Sequence, residues 1–118
     1  MFIEQAVAAC FVRRSIDGFI YCLPADFPAF AGHFEGYPLL PAVCHISLCS
    51  DAAARLLGKA VELAALKRAK FMSPVLPGQE VEVRFTVRPD GWYFAEVTEV
   101  ASKKKVSQLI LQFAECKK

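Results

Sequence analysis

The chain has 118 residues, 55% of them hydrophobic and only 22% charged, with a formal net charge of +2. That composition excludes disorder and predicts one domain over residues 1–118 with a core large for its length. The charge is too slight and too scattered for a nucleic-acid partner, which requires a concentrated basic face.

The N-terminal stretch MFIEQAVAACFVRRS carries Glu4 inside its apolar part and paired arginines after it, the wrong order for a secretory leader. No apolar run approaches the ~20 residues that span a bilayer, so the chain reads as cytoplasmic with no membrane span. Cysteines fall at 10, 22, 44, 49 and 116, an odd number without a CxxC pair or a His/Cys cluster of zinc spacing. They read as reduced thiols, with no metal site. Cys44 and Cys49 lie in an apolar stretch and read as small buried hydrophobes.

Asp17-Gly18 between Val12–Ile16 and Phe19–Leu23 signals a hairpin. Next comes FAGHFEGYPLLPAVCHIS, residues 30–47, dense in glycine, proline and histidine. Residues 42–57 are too long for a strand and rich in alanine. Pro41 suits the first helical position and Gly58 the stop. The apolar residues of this helix go most of the way round it, so it must be enclosed. His45, Ser47, Ser50 and Asp51 sit in its first half, and Arg55, near its end, is expected to reach solvent. Buried polar groups need partners, so either the helix start opens on a cavity or these groups bond one another. Downstream, residues 80–88 alternate Glu80, Glu82, Arg84 and Thr86 with Val81, Val83, Phe85 and Val87, the pattern of a half-buried strand. Pro89-Asp90-Gly91 and then the lysine turn 103–105 separate it from strands over 92–102 and 106–114. One enclosed helix and about five or six antiparallel strands predict an α+β fold, a curved sheet around a helix.

The run Gly32-His33-Phe34-Glu35-Gly36-Tyr37-Pro38-Leu39-Leu40-Pro41-Ala42-Val43-Cys44-His45-Ile46-Ser47 and the later Lys70-Phe71-Met72-Ser73-Pro74-Val75-Leu76-Pro77-Gly78-Gln79 carry a family likeness. In order and spacing they resemble the GHFPGxPxxPGVxxxE and KFxxPVxPGD-like motifs of the hotdog-fold 3-hydroxyacyl-(acyl-carrier-protein) dehydratases. The lead-in over residues 23–30 looks more like the branch linked to aryl polyene lipid synthesis than the housekeeping branch. The resemblance covers nearly the whole chain from about Phe19 onward. It implies a homodimer or higher homo-oligomer with sheets joined edge to edge. The loop histidine of one subunit would face the helix carboxylate of the other. The substrate would arrive on the phosphopantetheine of an acyl carrier protein or as a CoA thioester, with no other cofactor.

Dehydration removes a proton beside the thioester carbonyl and expels hydroxide from the next carbon. His33 is the candidate base, since a neutral imidazole titrates near working pH. The first amides of the helix, at Ala42 and Val43, are candidate donors to the thioester oxygen. Gly32, Phe34 and Gly36 complete the candidate substrate-binding set, the glycines allowing close backbone approach. Three positions depart from the family pattern: Glu35 stands for proline, Ala42 for glycine, and Ser47 for the helix carboxylate. A serine hydroxyl is a poor proton reservoir, and loss of the acid weakens catalysis by about 10²–10⁴-fold. Asp51, one turn beyond Ser47 on the same face, is the candidate replacement, or else a partner for a neighbouring basic or hydroxyl group. His45 points away from Ser47 and reads as a bonded histidine at the dimer seam. Phe71, Phe85 and Leu109 are candidates for an acyl tunnel or plain core. The residues thus point to a 3-hydroxyacyl-thioester dehydratase of fatty-acid or polyene-type lipid synthesis. Two alternatives stay open: a hotdog acyl thioesterase, and a non-catalytic acyl-thioester binding subunit whose partner supplies the missing acid.

Overall fold

Hydrophobic burial organises the chain as one antiparallel sheet laid across one long helix. The computed structural model describes residues 2–30 and 40–116. In order, the elements are α1 (Phe2–Ala8), β1 (Phe11–Arg14), β2 (Gly18–Cys22), a 3-10 turn at Pro28–Phe30, α2 (Ala42–Leu57), β3 (Val61–Phe71), β4 (Glu80–Val87), β5 (Tyr93–Glu99) and β6 (Lys105–Glu115). The six strands lie in the order β1-β2-β4-β5-β6-β3, and every pairing is antiparallel.

Alternation in β4 works as its sequence predicts: Val81 and Val83 are fully buried, and the polar residues between them turn outward. The hairpin at Asp17-Gly18 forms with shifted bounds. Its turn is residues 15–17, where the Ser15 N–H donates to the Gly18 carbonyl at 2.9 Å and the Gly18 N–H donates to Ser15 Oγ at 2.9 Å. Gly18 belongs to β2, and crowding rather than turn geometry demands glycine there. A Cβ at this position would lie 2.4 Å from the Val83 carbonyl oxygen.

The helix spans the predicted residues. Pro41 stands one place earlier than expected, at the N-cap, in extended conformation and with no side-chain cap bond. Gly58 ends the helix at φ 71°, its N–H donating to the Ala54 carbonyl at 2.8 Å. One side of α2 packs Cys44, Leu48, Cys49 and Ala52 against the sheet, where Tyr21, Val97, Leu109 and Leu111 are closed from solvent. Each fully buried Leu or Val side chain is worth about 1.5–3 kcal/mol. The expectation that the helix is enclosed on all sides holds for that side alone within one chain. Val43 remains 58% exposed, and Leu56 and Leu57 are exposed at the far end.

Two elements lie outside the sequence expectations. α1 packs its Val7 into the core. β3, eleven residues long, forms one edge of the sheet against β6. Among the described residues, no helix is long and apolar enough to cross a membrane.

Candidate active site

The first half of α2 resolves its polar side chains in two ways. On the sheet side, His45 is 3% exposed, with Nδ1 3.1 Å from Ser107 Oγ of β6 and the Phe71 ring edge-on at 5.0 Å. Burial pushes this imidazole down to about 4, against a smaller opposite pull from a hydrogen bond at the Leu40 backbone. It is a bonded, neutral histidine. On the other side, Ser47 and Ser50 line a cavity of about 470 Å³ together with Val43, Ile46, Glu4 of α1, Val61, Glu62 and Leu63 of β3, and Cys116. His45, Ser47 and Ser50 therefore do not bond one another. Some are satisfied by the sheet, and the serines face an opening.

Asp51 is placed differently from Ser47. Its Oδ2 accepts the Tyr21 hydroxyl at 2.5 Å and Arg55 Nε at 2.7 Å. Burial, and then the hydrogen bond to that carboxylate, push the Tyr21 phenol well above its ordinary value, so it stays protonated as a donor. Arg55 reaches solvent only in part, with 34% of its side chain exposed. It also donates to the Ala8 carbonyl at 3.3 Å and lies 3.9 Å from the centre of the Phe11 ring. Asp51 thus sits in a cluster joining α2, β2, β1 and the end of α1, and it does not line the cavity beside Ser47.

Ala42 and Val43 are both exposed, so the first turn of α2 opens outward. Pro41 gives it no side-chain cap, and the Cys44 N–H turns back to the Pro41 carbonyl at 3.0 Å. Such a helix start presents N–H groups and the positive end of the helix dipole. The loop candidates Gly32, His33, Phe34 and Gly36, with Glu35, lie outside the described residues. Of the proposed tunnel residues, Leu109 is core and Phe85 stacks with Tyr93 and Phe113, while Phe71 is 46% exposed beside His45. Burial pushes the Cys44 thiol up and that of Cys49 up to about 12, which suppresses the thiolate in both.

Glu4 and Glu62 enter the cavity without any forewarning from the residues around Ser47. No local motif relates an N-terminal acid to a helix nearly forty residues on. The available hint is the spacing of Glu4 and Val7, which puts both on one side of a helix.

A curved antiparallel sheet around a central helix is the hotdog fold, and solved structures of that fold superpose on this chain. The dehydratase heterocomplex ApeI:P from Xenorhabdus doucetiae does so with a TM-score of 0.74 at 20% identity, over 89% of this chain and 96% of that one. The 3-hydroxyacyl-[acyl-carrier-protein] dehydratase FabZ of Cereibacter sphaeroides is 34% identical over 87 residues, covering 64% of this chain and 56% of that protein. That of Roseobacter denitrificans is 33% identical over 87 residues, covering 62% and 57%. The chain spans little more than half the length of these curated relatives. A family model described as ApeI-like, ApeI dehydratase, matches residues 15–109. This chain belongs to the ApeI-like family.

Proposed function

We propose that the chain is a 3-hydroxyacyl-thioester dehydratase, a lyase whose substrate is carried on the phosphopantetheine of an acyl carrier protein. The observation that carries the reading is the cavity at the uncapped start of α2, walled by Val43 and Ser47. His33 takes the proton from C2. The electrons of that C–H bond form the C2–C3 double bond, and the C3–O bond breaks with its pair going to oxygen. The hydroxyl gains a proton and leaves as water. The amides of Ala42 and Val43 hold the thioester oxygen while negative charge gathers on it. Ser47 orients the departing hydroxyl, and Gly32, Phe34 and Gly36 shape the approach. Asp51 serves the scaffold through Tyr21 and Arg55.

The active unit is a dimer. β3 offers an eleven-residue open edge, and the exposed side of α2 bearing Val43 lies where a second chain bringing its own His33 loop would close the cavity. The test is a spectrophotometric assay with 3-hydroxyacyl carrier protein, together with thiol titration. Dehydration raises enoyl-thioester absorbance without freeing thiol, and His33→Ala lowers the rate by about 10²–10⁴-fold. Release of thiol instead would make the chain a thioesterase.

Ser47 favours a second reading. The chain would pair with a second subunit that bears the helix carboxylate; the Xenorhabdus neighbour is itself a dehydratase heterocomplex. Under this reading the chain alone is inactive, and activity appears on mixing with that subunit.

A further inference from the structure

The cavity beside Ser47 lacks the helix carboxylate but does not lack a carboxylate. Arg55 donates to the Ala8 carbonyl, which holds the end of α1 against the last turns of α2. Glu4, one turn earlier on α1, lines the cavity with Ser47 and Ser50. The two helices therefore run side by side in the same direction, with the start of α1 level with the first half of α2. Val7, three residues after Glu4, is fully buried in the core, which fixes the rotation of α1 and turns the Glu4 side toward α2. Glu62 also borders the cavity, but strand pairing argues against it. Leu63 lies opposite Phe113, which packs toward the helix, whereas Glu62 lies opposite Ala114 on the alternate face.

We infer that Glu4 is the proton donor to the leaving hydroxyl, supplying from α1 the acid that Ser47 does not. This inference rests on the dehydratase reading above. The Glu4 carboxyl gives its proton to the C3 hydroxyl as the C3–O bond breaks, and water departs. The proton taken from C2 by His33 passes to solvent, from which Glu4 is reprotonated. Ser47, in the same cavity, keeps the space that a second carboxylate would otherwise occupy.

The experiment measures kcat and KM of dehydration for the wild type, Glu4→Gln, Glu62→Gln and the double variant Glu4→Gln/Ser47→Glu. A thermal melt verifies that Glu4→Gln keeps the fold. The expected result is a kcat about 10²-fold lower in Glu4→Gln with KM within about twofold. Ser47→Glu in the same chain restores the rate. A wild-type rate in Glu4→Gln overturns the inference while leaving the dehydratase reading intact. So does a lowered rate that Ser47→Glu does not restore, or a loss confined to Glu62→Gln. A wild type that performs no dehydration, with His33→Ala identical to it, overturns the dehydratase reading and this inference with it.

Discussion

His45 illustrates how one residue's surroundings set its chemistry. It is closed from solvent between Ser107, Phe71 and the Leu40 backbone, and its ring is held neutral down to about 4. An unfolded histidine titrates near 6.5. Between those values the unfolded chain binds the extra proton, so stability is full above about pH 6.5 and falls as pH drops toward 4. The loss through this one group approaches about 3 kcal/mol. Denaturant midpoints measured from pH 7.5 to 4.5 should fall in the wild type and flatten in His45→Gln. Equal slopes for the two proteins would show that the ring is not the titrating group. Ser47 is the opposite case: its neighbours leave space, and its interest lies in what else borders that space.

The helix α2 is tied to its neighbours at its middle by Asp51, which accepts from Tyr21 of β2 and from Arg55, while Arg55 reaches the end of α1. Asp51→Asn keeps the shape but removes the charge, and should lower stability by about 1–2 kcal/mol. The dehydration rate, measured well below the melting temperature, should change by less than about threefold if Asp51 serves only the scaffold. A drop of 10²-fold at unchanged stability would return the acid role to it. The helix itself was legible in the sequence because Pro41, Gly58 and sixteen residues without a breaker leave few alternatives. So was β4, where apolar and charged residues alternate cleanly. β3 was not. VELAALKRAKF is composed largely of helix formers with no period of two, and register shifts near Leu63 and Leu66 blur what alternation exists. Tertiary pairing with β6 overrides local preference there. The cavity was legible where it is local, at Val43 and Ser47, and illegible where it depends on α1, because no spacing in the sequence brings Glu4 to Ser47. Asp51 shares a helical face with Ser47 in a projection, yet its side chain is held by Tyr21 and Arg55, partners that no helical projection contains.

At the scale of the whole molecule, the sheet ends differently at its two edges. β1 is four residues long, whereas β3 runs for eleven and exposes Leu63, Leu66 and Phe71. A long edge of that kind either pairs or aggregates, and charges such as Arg68 and Lys70 on it disfavour unselective pairing. With pairing through β3, tenfold dilution should lower the thermal midpoint by about 3 °C, since only the associated form gains the extra burial. A midpoint independent of concentration over three decades would indicate a self-sufficient single chain. The open rim of β3 bears finally on dosage. If each cavity needs a neighbour to close it, the number of working centres at low abundance rises with the square of the number of chains made, and halving synthesis removes about three quarters of the output.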